Sequence, residues 1–256
     1  MGRMFKALII VPILVIRIPA HAEPVDVKPS TNCQSIYYQQ PEATHKAALN
    51  ELMSISSFRA QHLEQPYTDL NELYDVASAA QNELEALASD IATQVNGEML
   101  SPGIKGQQRA AEKVAGELNG DASKLTDIVR VTIETDSIAD LNSAFDKLAS
   151  ATKTQEVINR FHTPRPSGYR DVKVLVTLPE TNLVAEVQLH LKAISAIKNG
   201  EEHAIYENIQ RIERLAKLEQ RDLSHWELSK IEKLRTESRA LYDAAWQDYH
   251  PLAKAV

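Results

Sequence analysis

Residues 183–191 read LVAEVQLHL, and the alternation in that stretch decides the fold. Successive side chains of a strand point to opposite faces. Leu183, Ala185, Val187 and Leu189 therefore share one face, and Val184, Glu186, Gln188 and His190 the other. The preceding residues, 169–178, form a second strand, joined to the first by Pro179-Glu180-Thr181-Asn182, a hairpin-type connection. Within it Val172, Val174 and Val176 oppose Asp171, Lys173 and Thr177. A short β-branched run at 127–134 supplies a third strand. There Ile128, Arg130, Thr132 and Glu134 lie opposite Val129, Val131 and Ile133. The resulting sheet has one apolar face and one that carries Arg130, Lys173, Glu186, Gln188 and His190.

Outward from this sheet the apolar period changes from two to that of a helix. Leu70, Leu73, Ala77, Ala80, Leu84, Leu87, Ile91 and Val95 mark a helix over about 68–96, stopped by Gly97. Residues 42–63 also read as helical, as do 105–118, which end at Asn119-Gly120, and 138–149. Pro164 and Pro166 make 159–168 an extended loop. From 192 the chain is helical, with Ile205, Ile209, Ile212, Leu215 and Leu218 on one stripe. A last helix spans 223–249, with Asp222 or Ser224 as its N-cap. The expected architecture is α+β: a small mixed or antiparallel sheet flanked by helices, with long helical arms at both ends.

The first 22 residues read as an address. Arg3 and Lys6 precede an apolar run, Ala7 to Ile16, and Ala20-His21-Ala22 fits a small-x-small cleavage pattern. This predicts a secretory signal peptide and an exported, periplasmic or secreted protein. Residues 23–41, with Pro24, Pro29 and Pro41, read as a flexible leader, and no later stretch is apolar enough to cross a membrane. The chain carries −7, and the first 22 residues hold three of its 28 basic residues and none of its 35 acidic ones, so the remainder carries −10. Bulk nucleic-acid binding is not expected of so acidic a body, because that affinity comes from phosphate neutralisation. The single Cys33 excludes an intrachain disulfide and a cysteine-based zinc site.

Against that acidic background residues 160–173 form a positive focus: Arg160, Arg165, Arg170 and Lys173 with His162, against Asp171 alone. Such a focus is what an anionic ligand requires. A carboxylate, Glu186, among cations on one sheet face suits a metal–nucleotide site, in which the carboxylate holds Mg²⁺ and the cations hold phosphates. Tyr169, after Ser167-Gly168, could present a ring for a base to stack on. The bland alternative is a solvated polar face on an ordinary sheet.

Five blocks in order resemble a known family. They are Ile104-Lys105 with Arg109-Ala110-Ala111-Glu112-Lys113, Leu125-Thr126-Asp127-Ile128-Val129-Arg130, Pro166-Ser167-Gly168-Tyr169-Arg170-Asp171, Ala185-Glu186-Val187-Gln188-Leu189-His190, and His203-Ala204-Ile205-Tyr206. Together they resemble the synthetase domain of the RelA/SpoT alarmone enzymes over about 100–210, which sets domain limits of 42–97 for an N-terminal helical region, 98–210 for the synthetase domain and 211–256 for a C-terminal helical region. The resemblance implies a nucleotidyltransferase-like fold. It also implies transfer of pyrophosphate from ATP to a ribose hydroxyl of a nucleotide or RNA-end acceptor, with Mg²⁺ as cofactor.

The same resemblance assigns roles. Lys105, Arg109 and Lys113 would bind ATP phosphates. Asp127 and Glu186 would hold Mg²⁺, with Arg130 beside them as a catalytic cation. Tyr169 would stack on the acceptor base, and Arg170, Lys173, Gln188 and His190 would complete the nucleotide site. The sequence departs from the family in spacing, since Asp127 precedes Arg130 by three residues where the family has five, which leaves Glu134 and Asp136 as alternative ligands. The family's serine-leucine-histidine is Asp171-Val172-Lys173 here, and its glutamine-isoleucine-arginine is Gln188-Leu189-His190. No histidine–aspartate hydrolase motif is present, so alarmone degradation is not expected. Export of such an enzyme points to a secreted effector or toxin, with nucleotides as substrates and a host or target-cell partner or an immunity protein as partner. The competing expectations are a catalytically silent exported binding protein on the same fold, and a helical interaction protein whose polar sheet face is only solvated.

Overall fold

The structure, a computed structural model, describes residues 42–249; the stretches read as a signal peptide and a leader, with Cys33, lie outside the described residues. The elements run α1 (Glu42–Ser54), β1 (Phe58–Arg59), α2 (Leu70–Gln94), β2 (Glu98–Leu100), α3 (Gln107–Glu117), β3 (Arg130–Thr135), α4 (Ile138–Ala151), β4 (Lys153–Asn159), β5 (Val172–Thr177), β6 (Val184–Leu191), α5 (Lys192–Asn199), α6 (Glu201–Leu218) and α7 (His225–Gln247). The six strands form one sheet in the order β1-β4-β5-β6-β3-β2. β3 and β6 run parallel, and every other neighbouring pair is antiparallel. The expected α+β class, with a mixed sheet flanked by helices, is what the chain adopts.

The alternation read from residues 183–191 is realised in the ladder. Val131, Ile133, Val174, Val176, Ala185, Val187 and Leu189 are buried, and they share one core with Leu73, Ala77, Ala80 and Leu84 of α2 and Leu141, Ala144 and Leu148 of α4. Leu52 of α1 and Tyr242 and Ala245 of α7 belong to the same core, so helices from both ends of the chain close over one sheet. On the other face the parallel register sets Arg130 opposite Glu186, Thr132 opposite Gln188 and Glu134 opposite His190.

Several boundaries differ from the sequence reading. The first helix ends at Ser54 rather than 63. Buried Asn159 donates to the carbonyls of Leu52 (2.7 Å) and Ile55 (3.1 Å), so those backbone acceptors are met from β4 instead of by another helical turn. β4 itself, KTQEVIN, has too many polar residues to show a strand period; pairing with β5 on one side and β1 on the other makes it a strand. The third strand begins at Arg130, three residues later than read, and the second at Val172. The helix after residue 191 is two helices broken at Gly200, where a Cβ would stand 2.8 Å from the carbonyl oxygen of Ala196. Ser224 is the N-cap of α7 and forms a reciprocal capping box with Glu227.

Candidate active site

The site is built from the first strand position outward. Arg130 opens β3, and its main chain is gripped by Gln81 of α2: the Gln81 amide donates to the Arg130 carbonyl (3.2 Å) and accepts from the Arg130 N–H (3.2 Å). Gln81 is buried on an otherwise apolar helix stripe, and that misfit was the signal that could have found it. Across the parallel ladder stands Glu186, whose Oε1 accepts from Gln188 Nε2 at 2.7 Å. Gln188 Oε1 in turn accepts from Lys198 Nζ at 3.0 Å. These groups open on a cavity of about 480 Å³, walled also by Ser101 and Pro102 after β2, by Glu134 of β3, and by Ser195 and Asn199 of α5. Glu134 is held by the Ser195 hydroxyl, which donates to it.

A second cluster lies just before β3. Asp127 Oδ2 accepts from Lys105 Nζ (3.0 Å) and Lys113 Nζ (2.9 Å). Burial would push the Asp127 carboxyl up, but the two ammonium groups outweigh it and hold the acid below its ordinary range. One carboxylate thus fixes two lysines and leaves the cluster with a net positive charge. Its Oδ1 is buried without a hydrogen-bond partner. Arg109 is exposed on α3, one turn before Lys113 on the same side of the helix.

The remaining candidates gather elsewhere. Asp171 is fully buried; its Oδ1 accepts from Arg160 (2.6 Å) and its Oδ2 from the Tyr169 hydroxyl (2.8 Å). The Tyr169 oxygen also meets His190 Nε2 at 2.6 Å, so Nε2 carries the proton, and the His190 Nδ1 is left buried with no partner. Burial, followed by the Asp171 carboxylate, drives the Tyr169 phenol well up. Tyr242 of α7 packs edge-on against the Tyr169 ring. Arg170 pairs with Asp243 of α7 at 3.0 Å and lies 5.6 Å from the ring centre of Trp246. Lys173 is bound to buried Glu156 at 2.5 Å.

Of the residues singled out from the sequence, the structure brings Arg130, Glu186 and Gln188 to one cavity, and Lys105, Lys113 and Asp127 to a second cluster. It does not bring Tyr169, Arg170, Lys173 and His190 to the lining of that cavity. The physical reason is α7 and Glu156, which supply partners that no local pattern announces. Asp136 is largely exposed and 3.9 Å from Lys192, whereas Glu134 lines the cavity. No motif announces Lys198, Ser195 and Asn199, although the i, i+3, i+4 spacing of 195, 198 and 199 puts three polar residues on one side of a helix.

No family model matches the chain. Residues of the chain are 27% identical over 135 positions to the (p)ppApp synthetase toxin Tas1 of Pseudomonas aeruginosa strain UCBPP-PA14, a match that covers 52% of this chain and 29% of that protein. Among solved structures, the Type VI effector Tas1 in complex with its immunity protein superposes with a TM-score of 0.54 at 22% identity, over 69% of this chain and 96% of that one. The small alarmone synthetase 2 of Bacillus subtilis gives 0.53 at 21% identity, over 72% and 95%. The chain therefore shares the fold of these proteins.

Proposed function

We propose that the chain is a pyrophosphokinase that moves the β,γ-diphosphoryl group of ATP to a ribose hydroxyl of a nucleotide. The observation that carries this reading is the Arg130–Glu186 pair of positions, held opposite each other on parallel strands and both lining one cavity. In the reaction the acceptor oxygen attacks the β-phosphorus, the bond from that phosphorus to the α-phosphate oxygen breaks, and AMP leaves. Glu186 takes the hydroxyl proton. Arg130 faces the charge that spreads over the transferred oxygens, and Lys105 and Lys113, fixed by Asp127, hold the donor's phosphates. Catalysis of this kind is positioning and electrostatics rather than covalent chemistry.

The donor set suits Mg²⁺. Among the described residues no three acidic or imidazole side chains converge on a point. Mg²⁺ is ordinarily held by one or two carboxylates together with substrate phosphates. Glu186, which lines the cavity, would supply such an oxygen, whereas Asp127 is drawn to Lys105 and Lys113 outside the cavity lining. When bound, the ion neutralises phosphate charge.

The name of the similar toxin favours an adenine nucleotide as acceptor, and its structure with an immunity protein favours a secreted effector that is neutralised by a protein partner. Export by a cleaved signal peptide belongs to the same reading. The test is incubation of the chain and of Glu186→Gln with γ-labelled ATP, Mg²⁺ and AMP, ADP, ATP, GDP, GTP or bulk tRNA. Label on a nucleotide with the wild type, and a loss of at least about 100-fold with the variant, is the expected outcome. No transfer to any acceptor would sink the enzymatic reading.

A further inference from the structure

The cations around the sheet differ in one respect. Lys105 and Lys113 are paired with Asp127, Lys173 with Glu156, Arg160 with Asp171 and Arg170 with Asp243. Arg130 and Lys198, which both line the cavity, make no salt bridge among the described residues. The Nε of Arg130 is buried without a partner, and the hydrogen bond that Lys198 makes is to a neutral amide, Gln188 Oε1. Two half-buried cations that line one cavity without a direct ion-pair partner are suited to an anionic ligand, with Glu134 and Glu186 of the same lining balancing their charge only at longer range.

We infer that Lys198 is a phosphate-binding residue of this cavity, holding a nucleotide's phosphates from the α5 side while Arg130 holds them from β3. The inference rests on the function proposed above and adds to it a residue and a wall of the site. Position supports it. α5 begins at Lys192 directly after β6 ends at Leu191, so no flexible loop separates Lys198 from the strand that carries Glu186. The relay from Lys198 through Gln188 to Glu186 sets the ammonium at a fixed place beside the carboxylate. Ser195 and Asn199 flank it on the same side of the helix, Ser195 anchored to Glu134 and Asn199 to Ser195. Burial draws the Lys198 ammonium toward its neutral form, and the carboxylates Asp171, Glu186 and Glu134 only oppose that tendency. A bound phosphate would give the ammonium the direct ion pair that its bond to a neutral amide does not.

The experiment compares the full chain with Lys198→Gln, Lys198→Met, Lys198→Arg and Lys192→Gln, the last a control on the exposed side of the same helix. Calorimetry with α,β-methylene-ATP and Mg²⁺ reads donor affinity, and steady-state transfer to AMP, ADP and GDP reads the KM of each acceptor. A roughly 10- to 100-fold weakening is expected for the two uncharged variants, with Lys198→Arg near wild type and Lys192→Gln unchanged. Confinement of the loss to ATP binding puts Lys198 on the donor phosphates; confinement to the acceptor KM puts it on the acceptor's. Lys198→Met keeps the stem's packing should glutamine disturb α5. Affinities and KM values all within two-fold of wild type would overturn the inference while leaving the enzymatic reading intact. Failure of the wild-type chain itself to bind the analogue or transfer label would overturn both.

Discussion

Asp171 shows what a single residue contributes here. It is fully buried, with Arg160, the Tyr169 hydroxyl and His190 around it. Burial pushes its carboxyl up, but the bonds from His190 and Arg160 outweigh that and leave it below the ordinary carboxylate range. A carboxyl lowered on folding stabilises the native state above its unfolded pKa, and that stabilisation is lost as pH falls through the folded value. Asp127, also lowered, adds to the same loss. Asp171→Asn leaves the Arg160 guanidinium buried without its counter-charge, which should cost about 3–5 kcal/mol near neutral pH. In urea titrations the gap between wild type and variant should begin to narrow below about pH 4, where the carboxyl of the unfolded wild-type chain takes up its proton, and go on narrowing as pH falls toward the lower folded value. A gap unchanged between pH 7 and pH 3 would show that the charge of Asp171 contributes nothing.

At the scale of elements, α7 and the loop before β5 are fitted to each other. Ser238 donates to the carbonyl of Ser167 (3.1 Å), and Arg239 donates twice to that of Pro166 (2.7 and 3.2 Å). Gly168, between them and Arg170, has φ +86°, and a Cβ there would stand 3.0 Å from the Cα of Arg239. Gly103 has φ +72° with nothing within 4 Å of such a Cβ. Gly103→Ala should therefore show the backbone strain alone, about 1–2 kcal/mol. Gly168→Ala should show that plus displacement of α7, with a Tm lower than the Gly103→Ala protein's by a further 2 °C or more, at about 2–4 °C per kcal/mol for a chain of this size. Equal losses in the two variants would mean that α7 yields freely. Ser224→Ala, which removes the capping box, should lower stability by about 1 kcal/mol in the same melts.

For the molecule as a whole, the sheet cannot be separated from the last helix. Tyr242 and Ala245 belong to the core that also contains strand residues, and Tyr242 donates to buried Glu202 of α6 at 3.1 Å. Removal of α7 would expose that core, strip Glu202 of both Ser238 and Tyr242, and uncover the Tyr169 ring. A chain ending at residue 223 should be aggregated or expanded in size-exclusion chromatography and should bind a hydrophobic dye. A monodisperse truncated protein with a sharp melting transition would show instead that α7 is an appendage.

Much of this was legible in the sequence because it rests on short-range periodicity. Alternation in 183–191 fixes which residues of β6 share a face, and a hairpin connection of four residues makes β5 its antiparallel neighbour. Both follow from the geometry of an extended chain and need no partner to be known. The same alternation selected Arg130, Glu186 and Gln188 as residues of one face. Tertiary structure alone decided which of the polar residues open on the cavity. Asp127 is drawn to two lysines 22 and 14 residues away, Lys173 to Glu156, and Tyr169 into a buried network closed by Tyr242 of α7, more than 70 residues later. Long-range pairing of charge and burial depends on where other elements come to rest, and no local period carries that information. The parallel register of β3 and β6, which sets Arg130 against Glu186, belongs to the same class, because strands some 50 residues apart are brought side by side only when α4, β4 and β5 have packed between them in sequence.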